Sequence, residues 1–214
     1  MDALRRLHNN AKRRLIYEWV TPGTKVLDCG CGRGGDWHKW KLVGAHVFAI
    51  DPDEEALLEA EQRAHDINLG VWFLGKGDIR QAAFAGPYDV VCYNFSIQYI
   101  IGPHFQDSIK AIKCSLQTGG HLIGIAPDAN RIRTTKSPDI HGNTFEIVDE
   151  DKLKVHLVDG PFYADGPKIE PLLNPDVLIE ALKPEFKLVY WKPMLEKKSG
   201  FISDIYSQFS FVRV

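Results

Sequence analysis

KVLDCGCGRGGDWHKW, residues 25–40, is the stretch on which the reading of this chain turns. The apolar pair Val26-Leu27 ends in Asp28, a loop carries Gly30, Gly32, Gly34 and Gly35, and Asp36 to Trp40 can open a helix. A strand, a tight glycine turn and a helix N-terminus in that order make a nucleotide-binding corner. Residues without Cβ reach φ > 0 and let a ligand lie against the backbone, while the free N–H groups at the helix start face its polar atoms.

Spacing alone leaves the nucleotide open, because Gly30, Gly32 and Gly35 also satisfy the dinucleotide fingerprint. Asp28 points elsewhere: a carboxylate directed into the cleft just before the first glycine suits a ligand with an amino cation and opposes a pyrophosphate. Further on, His46 to Ile50 read as a second strand ending in Asp51, whose carboxylate can accept both ribose hydroxyls. Together these predict S-adenosylmethionine, a ribose-bearing cation, as cofactor and S-adenosylhomocysteine as product. A dinucleotide site and a purely structural turn are the alternatives.

With 214 residues, 44% hydrophobic and 25% charged, the chain is expected to form one domain, 1–214, with a full core. Met1 to Arg14 is basic and polar without a hydrophobic signal region, and the longest apolar runs are strand-sized. The expectation is a soluble intracellular protein of nucleus or cytoplasm with no membrane contact. Cys29, Cys31, Cys92 and Cys114 lie in or beside apolar segments without a CxxC pair, so they read as buried thiols and no metal site is expected. A net charge of −2 argues against broad coating by nucleic acid, which needs a basic face. Local clusters remain at Arg5, Arg6, Lys12, Arg13 and Arg14, at Arg33, Lys39 and Lys41, and at Arg131, Arg133 and Lys136.

Residues 2–19 carry Leu4, Leu7, Ala11, Leu15, Ile16 and Trp19 at helical spacing, and Pro22-Gly23 stops the helix. Its cations read as a solvated face, or else His8, Asn9 and Lys12 share a face that reaches over the site. After Asp51, Pro52 starts a helix through Asp66 with Ala56, Leu57, Ala60 and Ala64 as its packing face, and Val71 to Leu74 is a third strand. Asp78, in the turn before Ile79, is a candidate to hold an adenine amino group. Tyr88 to Tyr93 is the fourth strand, which puts Asn94 to Tyr99 at the carboxyl edge of the sheet. A helix from Phe105 to Leu116 ends at Thr118-Gly119-Gly120, and His121 to Ala126 is the fifth strand. The alternation predicts an α/β, doubly wound, Rossmann-like and mostly parallel sheet. Residues 127–175 break the pattern, with short strand-like pieces at Thr144 to Val148 and Lys154 to Val158, and read as a substrate-side lid. A helix near Asp176 to Leu182 and strands at Lys187 to Trp191 and Ile205 to Val214, the last antiparallel, close the chain.

Methyl transfer is an in-line displacement at a sulfonium carbon, so the protein must align donor and acceptor and exclude water. Attack by an exocyclic adenine amine is usually served by an Asn/Asp-Pro-Pro-aromatic turn, whereas here Asn94-Phe95-Ser96-Ile97 lacks both prolines. A ribose hydroxyl needs a lysine with carboxylate partners, and no convincing set is present. Carbon-5 transfer needs a nucleophilic cysteine, for which Cys92, inside a strand, is poorly placed. What is left is an acceptor already nucleophilic at neutral pH, of which guanine N7 is one. It requires only position and a purine pocket with a carboxylate, which Glu170 and Tyr206 could supply.

These residues resemble the eukaryotic and viral mRNA cap guanine-N7 methyltransferases, class I enzymes dependent on S-adenosylmethionine. VLDCGCGRGGDWHKW is similar to that family's VLDLGCGKGGD-x-x-KW signature, and His8 to Lys12 resembles its Asn-x-x-Lys helix. Asn94 to Tyr99, Gly124 to Asn130 and His141-Gly142-Asn143 resemble its Gln-Phe-x-x-His-Tyr, Gly-Thr-x-Pro-Asn and Phe-Gly-Asn segments. Glu170 to Leu173 is similar to its Glu-Tyr-Leu-Val, and Ile205-Tyr206 with Phe209 and Phe211 to its closing strand. The resemblance implies transfer of a methyl group to guanine N7 of a 5′-capped RNA, by proximity and without a general base. Lys12, Asp28, Gly30, Gly32, Asp51, Asp78, Ile79 and Asn94 would hold the donor. Tyr99 would stand at the junction of the two ligands, and His8, Asn9, Gln98, Glu170 and Tyr206 would frame the cap, with Tyr99 and Glu170 nearest the chemistry. Capped RNA is the implied partner, with other capping-enzyme domains or a stimulatory subunit beside it. Asn94 and Gln98 stand where the family usually has Gln and His, and Asp165 rivals Glu170 as the guanine reader. Another RNA-base or small-molecule methyltransferase, or a non-catalytic capping subunit, is the alternative function.

Overall fold

The computed structural model describes residues 2–82, 86–158 and 165–214. Lead-in helix α1 (Asp2–Trp19) precedes β1 (Lys25–Cys29), whose Val26 packs into one core and Leu27 into the other, as expected of a strand covered on both faces. Helix α2 (Trp37–Val43) ends at Gly44 in the left-handed region and leads to β2 (His46–Asp51). Helix α3 (Glu54–Asp66) starts beyond Pro52 because Asp53 caps it, accepting from the amides of Glu55 and Ala56, and it buries the expected face of Ala56, Leu57, Ala60 and Ala64.

Strand β3 (Val71–Lys76) runs two residues past the expected end at Leu74, because Gly75 and Lys76 both pair with the end of β2. The next crossover contains a single described turn, α4 (Ile79–Ala82), rather than a full helix, before β4 (Tyr88–Asn94). Helix α5 (Phe105–Ser115) passes directly into β5 (Leu116–Pro127). Leu116 pairs with Tyr88, and the register then jumps so that His121 meets Val90, with Gly119 at φ +80° inside the interruption. The expected Gly-Gly stop is therefore a bulge in a longer strand.

Two closing strands, β9 (Phe186–Pro193) and β10 (Tyr206–Arg213), complete a seven-stranded sheet in the order β3-β2-β1-β4-β5-β10-β9. The first five strands are parallel and β10 is antiparallel to both its neighbours, so the predicted doubly wound sheet with an antiparallel last strand is present. Strand order reverses between β1 and β4, and ligands of such sheets bind at that switch point, outside the carboxyl ends. One face is filled by Leu15 and Ile16 of α1 and Trp37 and Trp40 of α2, the other by Ile112 of α5, Leu178 of α7 (Pro175–Leu182) and Phe209.

Between β5 and α7, after the turn α6 (Ala129–Ile132), a second antiparallel sheet is built from β6 (Thr144–Asp149), β7 (Lys152–His156) and β8 (Lys168–Pro171). Strand β7 lies earlier than the sequence suggests, because a two-residue turn at Glu150-Asp151 sets its register and Leu153 and Val155 are the residues that point inward. Aspartates fasten this insertion to the main sheet and to the turn at 202–205. Asp128 caps α6 and accepts from Trp191 Nε1 at 2.9 Å and Ser207 Oγ at 2.7 Å, while Asp139 accepts from Asn143 Nδ2 and the amide of Ile202, both at 2.8 Å. Of the four cysteines, Cys29 and Cys92 are buried and Cys31 half-buried, but Cys114 is exposed on the outer side of α5, contrary to the expectation of four buried thiols. Among the described residues, no helix is long and apolar enough to cross a membrane and no His/Cys/Asp/Glu group could hold a metal ion.

Candidate functional site

The glycine loop sits at the switch point and is tied across it. The amides of Gly30 and Cys31 donate to the Ile50 carbonyl at 2.8 and 3.1 Å, and Ser96 Oγ, beyond β4, donates to the Cys29 carbonyl at 2.6 Å. At Gly30 any Cβ would stand 2.5 Å from that of Ser96, so the close approach of the two loops requires glycine there. Gly32, also at positive φ, faces open space instead. Its amide donates to Asp51 Oδ2 at 2.7 Å, and Asp51 Oδ1 accepts from the Asp53 amide, so each oxygen of the predicted ribose acceptor already takes one backbone bond and keeps its second lone pair.

Asp28 is not directed openly into the cleft. Its carboxylate is buried and accepts from Trp40 Nε1 at 2.9 Å, and burial, followed by the charge of Asp36, pushes its pKa up to about 7. The electrostatic centre is Asp36, immediately after the glycines and itself buried. Its Oδ1 is 2.7 Å from both Lys12 Nζ of α1 and Lys39 Nζ of α2, and its Oδ2 accepts from Asn94 Nδ2 at 3.0 Å. Burial raises this carboxyl, but Lys12 and Lys39 outweigh that and hold it below its ordinary value. Lys39, only 5% exposed, also donates to Asn9 Oδ1 at 2.9 Å. Two predicted residues, Lys12 and Asn94, thus meet on one carboxylate, and a third, Asn9, joins them through Lys39. Asn94 Oδ1 is buried without a partner and is an unused acceptor.

The adenine-side candidates are less open. Asp78 is gripped by Arg80, whose Nη2 lies 2.6 Å from Oδ2, a bond that holds the carboxyl below its ordinary range. The Ile79 side chain is buried in the core, which leaves its backbone as the part that can reach a ligand.

Beside the hub lies an aromatic corner. His8 stacks on Phe95 with centroids 4.8 Å apart, and Tyr206 stands edge-on to both at 5.5 and 5.0 Å. Phe95 has φ +66°, a strained conformation for a bulky residue, and this turns its ring into the corner. His8 shares a hydrogen bond with Ser203 Oγ at 3.0 Å, and burial together with the charge of Lys12 pulls its pKa down to about 4, so the ring is neutral at pH 7. Glu170, at the inward end of β8 and 7% exposed, accepts from Gln98 Nε2 at 3.3 Å. Burial, then the charge and hydrogen bond of Glu170, raise the Tyr99 hydroxyl, and burial followed by the same charge raises that of Tyr206. Gln98 Oε1 is a second buried acceptor without a partner, and Tyr99 is 50% exposed at the rim. Asp165, in contrast, has a side chain 91% exposed and paired with Lys168 at 3.8 Å, on the outside of the insertion.

Sequence reasoning missed Asp36, Lys39, Phe95 and Ser203 as site residues. The Gly-Gly-Asp-x-x-Lys spacing was the available signal for the first two, since a carboxylate at a helix start can accept from a lysine one turn on. Phe95 and Ser203 carry none, because they depend on a strained turn and on the long-range seating of residues 202–205 against α1.

Comparison with known proteins follows this geometry. Residues 26–120 match the family model described as a methyltransferase domain. The chain is 30% identical over 138 residues to the mRNA cap guanine-N(7) methyltransferase of Caenorhabditis briggsae, covering 58% of this chain and 36% of that protein. It is likewise 30% identical over 154 residues to the Saccharomyces cerevisiae protein of the same name, covering 61% and 33%. The chain thus spans about a third of the length of these curated relatives. Among solved structures, an S-adenosylmethionine-dependent methyltransferase from Clostridium acetobutylicum superposes with a TM-score of 0.70 at 17% identity, covering 97% of this chain and 91% of that one. The glycopeptide N-methyltransferase MtfA complexed with S-adenosylmethionine gives 0.66 at 15%, covering 95% and 93%. At such identities these two establish the fold.

Proposed function

We propose, from the premise that the chain belongs to the methyltransferase-domain family whose curated relatives are mRNA cap guanine-N7 methyltransferases, that it transfers a methyl group from S-adenosylmethionine to N7 of the guanosine cap of RNA. Residues at the switch point suit that donor. Asp28, Asp51 and the unpaired Asn94 Oδ1 offer acceptors for an ammonium and a ribose diol, Lys12 a cation for a carboxylate, and Gly32 open space beside the backbone. Asp78 and the backbone of Ile79 would border the adenine. When bound, the donor supplies an electrophilic methyl carbon on a sulfonium.

The observation that carries the acceptor is the convergence of Glu170, Gln98 and Tyr99 on the aromatic corner of His8, Phe95 and Tyr206. A neutral purine fits such a corner, with its ring stacked on aromatic faces and its N–H groups donating to the Glu170 carboxylate and the unpaired Gln98 Oε1. N7 carries its own lone pair at neutral pH, so no general base is needed. His8, neutral and locked to Ser203, serves as wall rather than base. The work of the protein is to align the two reactants and exclude water.

The test is transfer of a labelled methyl group to RNA ending in an unmethylated guanosine cap, beside the same RNA already methylated at N7. Label on the first alone is the expected result. Label on both would move the acceptor to another position and refute the N7 reading. E170A should lose cap recognition while donor binding stays within about two-fold; equal loss of both, or of neither, removes Glu170 from the pocket.

A further inference from the structure

Outside the site, α1 and α2 diverge to leave a groove of roughly 650 Å³, walled by Arg5, Arg6 and Arg13 on one side and His38 and Lys39 on the other, with Gly35 at its inner end. None of its lining residues is acidic. Arg5 and Arg6 have no carboxylate partner among the described side chains, and Arg13 reaches only the amide of Asn10, at 3.4 Å. On a chain of net charge −2 this is a local concentration of cations without a carboxylate partner among the described residues. The neighbouring basic residues are differently employed: Arg33 pairs with Glu59 and Lys41 donates to the Ile67 carbonyl.

The groove is continuous with the candidate site. Gly35, Asn9 and Lys39 line it, and Lys39 bonds Asn9, the Gly35 carbonyl and Asp36, the carboxylate that also holds Lys12. A polymer whose end occupies the aromatic corner therefore finds, beyond Lys12 and Gly35, a channel with three guanidinium groups that have no carboxylate partner among the described side chains and one exposed apolar side chain, Leu42, 71% exposed. Guanidinium forks match phosphate oxygens, and a polar channel with a single leucine does not suit an apolar peptide.

We infer that the α1–α2 groove binds the backbone phosphates of the RNA downstream of its 5′ end, independently of base sequence, through Arg5, Arg6 and Arg13. The inference rests on the acceptor proposed above only in calling the bound polymer the substrate; the groove's affinity for RNA is separately measurable. Single-strand binding loses about 0.7 in log K per log salt for each phosphate neutralised, so three arginines account for a slope of about 2.

The experiment compares the full chain with R5Q/R6Q/R13Q, whose changed side chains are all exposed or line the groove, after matching circular dichroism and melting temperatures. Anisotropy of a labelled, uncapped 20-nucleotide RNA across 50–300 mM salt should show the slope fall by about 2 and affinity at low salt drop by ten-fold or more. In the transfer assay, KM for a capped 20-mer should rise toward that of a capped dinucleotide. An unchanged RNA slope overturns the inference whatever the transfer assay gives. So does a slope unchanged for RNA but lost for polyglutamate, which would make the groove a docking site for an acidic protein. RNA binding that depends on the arginines, together with no methylation of either cap substrate, keeps the groove and refutes the acceptor.

Discussion

Asp28→Asn separates the electrostatic cost of the site from its use. The folded carboxyl titrates at about 7, against about 3.9 in an unfolded chain. Below pH 4 both states hold the proton and no penalty arises. Between the two values the folded state keeps a proton that the unfolded state releases, so stability falls as pH rises, and above pH 7 the penalty is complete. Three pH units at about 1.36 kcal/mol each give a full cost of about 4 kcal/mol, of which roughly a third is already present at pH 5. Asparagine keeps an oxygen to accept from Trp40 Nε1 and removes the titration. In urea denaturation without ligand, the stability of D28N relative to the native chain should therefore improve by about 2–3 kcal/mol between pH 5 and pH 8.5. An offset that stays the same at both values would refute the reasoning, because only a titrating buried group makes it change. Donor binding should move the opposite way: D28N weakens it at pH 8, and in the native chain affinity rises as pH passes through 7 and Asp28 ionises.

Asp36→Ala should destabilise the fold by about 3–5 kcal/mol, since it leaves the buried ammonium of Lys39 unpaired; adding K39M should return part of that loss in a double-mutant cycle of thermal melts. His8 is held at about 4 against roughly 6.5 when unfolded, so the unfolded chain takes up the proton first and stability drops as pH falls from 6.5 toward 4, by up to about 3 kcal/mol. H8N should flatten that limb of the stability profile, and an unaltered acid limb would count against a buried neutral ring. A thiol reagent should modify Cys114 at once, while burial, which raises the Cys29 and Cys92 thiols, keeps those two silent until unfolding; fast labelling of Cys92 would contradict the fold.

Much of the framework was legible because local chemistry set it. The helical spacing of Leu4 to Trp19, the alternation through Asp51 and the glycine loop each state their structure within a few residues, and α1, β1, β2 and the packing face of α3 lie where they point. The sequence misleads where pairing partners decide. Gly75-Lys76, beyond the expected strand end, pair with β2, Thr118-Gly120 bulge within a strand whose pairing resumes at His121, and Lys152 rather than Lys154 opens β7 because a two-residue turn fixes the hairpin. In the site, motif spacing singled out Lys12, Asp28 and Asp51 as candidates, yet it could not say that Asp28 faces Trp40, that Arg80 covers Asp78, or that Asp36 gathers two lysines. Those depend on which side chains meet across elements, and single-chain periodicity carries no record of that.

The glutamate that faces the aromatic corner hangs from a small sheet of its own, inserted between β5 and α7 and riveted by Asp128 to the main sheet and by Asp139 to the turn at 202–205. On the reading proposed here, Glu170 comes from the inserted sheet and the glycine loop with its aspartates from the main one, while Phe145, Leu153 and Val155 of the insertion share one hydrophobic core with Val26, Trp37 and Trp40. Substitutions accumulating in residues 133–171 can then retune the choice of acceptor while the glycine loop and its aspartates stay as they are. On that reading a graft of the insertion between relatives, made together with the core residues it packs on, should shift the choice of acceptor.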